Sequence, residues 1–211
     1  MPVDNQGAAV ECEFLERTMP ECGLRFLGLR RSTGIPPYLA GMVTSRHPDE
    51  GRQDRIVGLH DPDRVAKGNV DWYELATEYG LFSEERRFLL SLPIPVVSEG
   101  ADNSADDEPP EAVWGLVELL NDWDIIGKGG EVRITGWAYG CPAFVMSAVD
   151  GSVFVQGTMW QDSIGTAVLP VPHRVKALRD IARLNVGKPY RTAAENEDTL
   201  AWLARGDEVQ A

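Results

Sequence analysis

Ala143-Phe-Val-Met-Ser-Ala-Val-Asp150-Gly151-Ser-Val-Phe-Val-Gln-Gly-Thr-Met-Trp160 is the stretch whose reading decides the fold. Asp150-Gly151 divides two runs rich in β-branched and aromatic residues. Such a dipeptide signals a tight hairpin, because a type I′ turn needs positive φ at both central residues. Phe144, Met146 and Ala148 share one face of the first run, and Val145 and Val149 share the other. Apolar residues on both faces mean that the hairpin is covered on both sides, by helices or by a partner.

Working outward, Gly127-Lys-Gly-Gly130 is turn chemistry. In Glu131 to Trp137, Val132 and Ile134 alternate with Arg133 and Thr135, the period of a half-buried strand. Ile164 to Val171 reads as a further strand, stopped by Pro170 and Pro172. His173 to Leu184 is helical in pattern, with Val175, Leu178, Ile181 and Ala182 on one face and Gly187 placed as a cap. Upstream, Val113, Trp114, Val117 and Leu120 predict a helix over 111–123, and a last helix is predicted near 194–205.

The N-terminal half is less regular. Residues 1–10 are polar. Leu24 and Phe26 suggest a strand within 22–29, and Ser32 to Pro37 is a turn. Residues 44–69 read as a polar loop. Asn69 or Asp71 caps a predicted helix over 70–79, and Ser83 a second over 83–92, together an αα-hairpin. A DNA-reading helix pair is disfavoured, since Arg86 and Arg87 are opposed by Glu84 and Glu85. The expected class is therefore α+β. A helical, loop-rich region (1–97) joins, through an acidic linker (98–110), a unit of helix, four-stranded antiparallel sheet and helix (111–205).

Net charge is −13 over 211 residues, and the sequence pI is near 4.6. Residues 98–111 hold six acidic side chains and no basic one, so nearly half the excess lies in that stretch. This balance disfavours non-specific binding to nucleic acid or anionic membrane. No apolar run reaches the roughly 20 residues of a membrane span. The N-terminus lacks the pattern of a secretory signal, so a cytoplasmic location is expected. Lysine is only four of the twenty basic residues, a bias that suggests a GC-rich, bacterial genome. Cys12, Cys22 and Cys141 cannot all pair and form no CxxC, which argues against a disulfide or zinc scaffold.

Four sets of residues carry candidate chemistry. His47-Pro-Asp49-Glu50 and His60-Asp61-Pro-Asp63 repeat one histidine with two carboxylates, a composition that suits a divalent transition metal. A metal-dependent hydrolase would use His47, Asp49, His60 and Asp63 with an open position for water. Lys176, Arg179 and Arg183 stand at helical spacing and would line one face, a docking strip for an acidic partner or nucleic acid. Trp137 and Trp160 are candidates to stack a ligand or base. Cys141 with His173 and Asp150 or Asp162 is a further nucleophile–base candidate.

Gly127-Lys-Gly-Gly130 lacks the spacing of a phosphate-binding loop, and no GxGxxG, GxSxG or HExxH is present. The His-x-Lys motif of phospholipase D-like modules is absent after His47, His60 and His173. With no coherent catalytic motif and no cofactor signature, the leading expectation is a non-catalytic protein that binds a protein partner as inhibitor, immunity or accessory subunit. The metal hydrolase and the nucleic-acid binder are the alternatives.

Overall fold

In the computed structural model, which describes residues 5–94 and 111–208, the chain is α+β. Its elements run α1 (Asn5–Thr18), β1 (Leu24–Arg30), α2 (Pro37–Ala40), β2 (Gln53–Gly58), α3 (Arg64–Glu78), β3 (Arg87–Ile94), β4 (Glu111–Leu119), α4 (Lys128–Glu131), β5 (Gly136–Ala138), β6 (Cys141–Pro142), β7 (Phe144–Ser147), β8 (Val153–Met159), β9 (Ser163–Pro170), α5 (Lys176–Asn185) and α6 (Ala193–Glu208). Seven strands form one sheet in the order β1-β4-β3-β7-β8-β9-β2, every neighbour antiparallel. β5 and β6 form a separate two-stranded ribbon.

The quoted hairpin is the β7–β8 pair, in register from Phe144↔Gly157 to Ser147↔Phe154. Its turn is longer than a two-residue type I′ loop. The Gly151 amide donates to the Ala148 carbonyl (2.9 Å), and Gly151 has φ +76 while Asp150 does not enter the left-handed region. Asp150 holds the loop with its side chain instead, accepting from the Ser152 amide at 2.9 Å.

Both faces of the sheet are buried, as the apolar pattern required, and the cover comes from the chain itself. On one face Met146, Val155, Ile164 and Val168 pack with Leu15 and Met19 beside α1, with Trp72, Leu75 and Ala76 of α3, and with Ile125 and Ile126. Trp72, Tyr73, Phe82 and Trp123 close this side as an aromatic cluster, with Tyr73 stacked on Trp123 at 5.0 Å. On the other face Leu89, Trp114, Phe154, Ala167 and Leu169 pack with Leu39 and Ala40 of α2, Leu178 and Ala182 of α5, and Trp202 of α6.

Five expectations are corrected. The sheet has seven strands rather than four. The predicted helix over 83–92 is a turn followed by β3, and the one over 111–123 is β4. Phe88, Leu90 and Leu92 face one core while Leu89 faces the other. A strand buried on both sides loses the alternation that marks strands and reads as a helical run. Conversely, the strand expected over 131–137 is broken by the single turn α4 and by Arg133, which has φ +60. The N-terminal half also holds more regular structure than expected: α1 covers residues read as polar and β-leaning, and the loop predicted over 44–69 contains β2 and the start of α3.

The acidic linker expected at 98–110 lies outside the described residues. Its flanking strands β3 and β4 are paired along their length, from Arg87↔Glu118 to Ile94↔Glu111. Strands from before and after this segment thus interleave in one sheet, with β4 between β1 and β3, and β7, β8 and β9 between β3 and β2. Thermal or urea unfolding should therefore show one cooperative transition rather than two. Phe154→Ala, at a fully buried position of β8, should lower stability by about 3–5 kcal/mol, read from urea midpoints.

Candidate functional site

The β5–β6 ribbon is the best-defined irregular feature on the surface. Its base is tied to α3. The Asp124 carboxylate accepts from the Gly127 amide and from Asn69 Nδ2, both at 2.7 Å, and Asn69 Oδ1 accepts from the Ile126 amide at 2.9 Å. The Gly129 carbonyl accepts from the amides of Ile134 (2.9 Å) and Thr135 (3.0 Å), while buried Thr135 donates its hydroxyl to the Ile125 carbonyl. Backbones meet where side chains are missing. A Cβ on Gly130 would lie 2.1 Å from the Ala138 carbonyl oxygen, and one on Gly136 would lie 2.3 Å from that of Cys141. The chain Gly127-Lys-Gly-Gly130 is therefore a packing device.

This base presents two aromatic side chains to solvent. Trp137 is 58% exposed and Tyr139 is 52% exposed. They lie two residues apart, Trp137 at the bulge of β5 and Tyr139 in the turn that follows, and the Tyr139 ring edge rests against Gly127. Within α4 an ion pair between Lys128 and Glu131 (2.8 Å) holds the Lys128 ammonium above its usual pKa. Two aromatic rings thus stand exposed on a ribbon whose backbone is closely packed. They offer apolar area, a phenol for hydrogen bonding and little ordering entropy to lose.

The second predicted tryptophan, Trp160, stands in the β8–β9 turn and makes no ring contact with Trp137. Its ring covers Gly165, where an added Cβ would meet it at 2.6 Å. Both indoles are at the end of the sheet where β6 meets β8 and β9.

The predicted basic strip is not assembled. Arg179 is 6% exposed and donates to the carbonyls of Leu203 (3.0 Å) and His173 (3.4 Å), fastening α5 to α6. Lys176 and Arg183 both pair with Asp180, whose carboxyl is held below its ordinary pKa first by the Lys176 hydrogen bond. Helical spacing alone placed all three on one face, but a helix docked on both the sheet and α6 buries one of them.

The structure also keeps the two His/Asp clusters apart. They flank β2, whose six residues span roughly 16 Å at ~3.3 Å per residue. His47 caps a short turn, its Nδ1 accepting from the Asp49 amide at 3.3 Å, and Asp63 precedes α3. His60 is exposed. Nearby Asp61 is bound by Lys67, which lowers its pKa. Among the described residues no group of three or more His, Cys, Asp or Glu side chains is placed to hold a metal.

Cys141 and His173 lie at opposite ends of β8, because β6 abuts its C-terminal end while His173 follows Pro170, the partner of Val153. Burial pushes the Cys22 thiol up to about 12, so it is no nucleophile at neutral pH. A cavity of about 330 Å³ opens beside Arg30, Arg31, Trp114 and the start of α6. Its carboxylates are already engaged: Asp198 accepts from the Gly34 amide (2.8 Å), and Glu195 pairs with Arg191 (3.0 Å).

Two exposed side chains escaped the sequence reading. Tyr139 sits two residues from Trp137, a signal that was present but unused. Ile56, 60% exposed, lies on a strand where a polar loop was expected. Among the described residues, no helix is long and apolar enough to cross a membrane. No family model, curated protein or solved structure matches the chain.

Arg179→Ala should destabilise the fold by about 1–3 kcal/mol through its orphaned carbonyls, whereas Lys176→Gln should leave the urea midpoint unchanged. Burial, then Arg174, Arg179 and Arg205, hold the His173 pKa below its ordinary value. The unfolded chain then takes up a proton that folded His173 resists. Stability should fall as pH drops below about 6.5, and His173→Gln should flatten that dependence in pH-resolved melting curves.

Proposed function

We propose that the chain is a non-catalytic cytosolic protein that engages a protein partner, as an inhibitor, immunity or accessory subunit, through the β5–β6 corner. The observation that supports this reading is the pair Trp137 and Tyr139, both more than half exposed on a ribbon whose backbone is locked by close glycine contacts. Trp and Tyr are enriched among the side chains that carry the binding energy of protein interfaces. Covered sheet faces give no reason of their own to expect a partner, so the reading rests on this corner. The metal-hydrolase reading has lost its ligand cluster, and the nucleic-acid reading has lost the central arginine of its strip.

Pull-down of the tagged chain from its native lysate, beside the double variant Trp137→Ala/Tyr139→Ala, tests the proposal. The expected result is one stoichiometric protein retained by the wild type and weakened at least about 100-fold, ~2.7 kcal/mol, in the variant. The variant's melting temperature should match the wild type's. Equal retention by both forms would move the interface elsewhere, and absence of any partner would overturn the reading.

A further inference from the structure

The two edges of the seven-stranded sheet differ. At one edge β1 carries a register shift between Phe26 and Leu29, with Gly28 at φ +115. A bulge of this kind twists an edge away from further pairing. At the other edge β2 is regular over all six residues, from Gln53↔Val168 to Gly58↔Ser163, and among the described residues it pairs with no strand but β9. Ile56, at its middle, is 60% exposed. Opposite Ile56 stands Gly165, covered by the Trp160 ring, so isoleucine and indole are neighbours on the same side of the sheet.

We infer that β2 is the site at which a second copy of this chain docks, extending the sheet across a two-fold axis. Charge permits the approach. Between Arg46 and Lys67 five basic side chains meet five acidic ones, so the edge is locally neutral in a chain of net −13. Arg55 is balanced by Glu74 at 3.9 Å and Asp54 by Arg52 at 2.9 Å.

Geometry then selects one register. Opposed residues of antiparallel strands point to the same side, and a two-fold axis normal to the sheet preserves sides. The axis must therefore pass through a residue pair of the same position. Centred on Asp54 or Arg55, it would set like charges opposite each other, which is destabilising. Centred on Val57, it would pair only residues 56–58. Centred on Ile56, it pairs residues 54–58. Arg55 then faces the partner's Val57, Asp54 faces the partner's Gly58, and Ile56 meets the partner's Ile56 between the two Trp160 rings. The most exposed apolar side chain of the strand is thus the one the axis buries. This contact needs no other protein and uses neither Trp137 nor Tyr139.

Sedimentation equilibrium of the purified chain at graded concentrations tests it, with Ile56→Lys alongside. The expected result is a concentration-dependent mass rising toward that of two 23.2 kDa chains, with the dimer dissociation constant raised at least about tenfold by Ile56→Lys. In a Cys12→Ser/Cys141→Ser background, Ile56→Cys should close an intermolecular disulfide under mild oxidant, and Gln53→Cys should not. The cross-link decides the matter should Ile56→Lys fail to fold. A chain that stays monomeric at every concentration, a dimer indifferent to Ile56→Lys, or cross-linking through Gln53→Cys instead would each overturn the inference.

Discussion

The structure depends on one constraint: its central strands have no side to turn toward water. In β3, β8 and β9, successive residues feed opposite cores, as Leu89 against Leu90 and Phe154 against Val155 show. Each face must then be covered, and the cover has to come from segments far apart in sequence. α1 and α3 close one face, while α2, α5 and α6 close the other. Apolar burial of this kind supplies most of the favourable free energy of folding.

Covering a sheet twice leaves many polar groups at the layer boundaries, and the chain satisfies them with specific latches. α6 shows this most fully. Asp198 caps the Gly34 amide, Arg205 donates to the Asp150 (2.7 Å) and Thr33 (3.0 Å) carbonyls, and Tyr38 meets Thr199 at 3.2 Å. The Arg191 guanidinium stacks 3.7 Å above the Tyr38 ring. Arg179 belongs to the same set. Charges that look like a solvated helix face in the sequence act here as fasteners between helices.

With both faces closed, the features left to interact with other molecules lie at the periphery. One is the aromatic ribbon beyond the end of β7, and another is the straight edge of β2. Each is held in place by the sheet without contributing to its core. Each also carries large apolar side chains that folding leaves exposed, which makes them the economical places to look for recognition.

The sequence by itself determined what depends on neighbours in the chain: the β7–β8 hairpin, the strand after it, α5 with Gly187 behind it, α6, and the strand at Leu24. Asp150-Gly151 and the helical period around Leu178 need no distant contact to be read. It named Trp137 as a stacking candidate but did not place it at the surface, because residues 131–137 read as a half-buried strand. The tertiary structure alone decided the rest. Phe88-Leu-Leu-Ser-Leu92 is compatible with a helix until two cores claim its alternate residues. Lys176, Arg179 and Arg183 share a helix face until α6 docks over one of them, and His47 and His60 look adjacent until a strand runs between them. Period and turn chemistry act over a few residues, whereas burial on two faces is settled by partners tens of residues away.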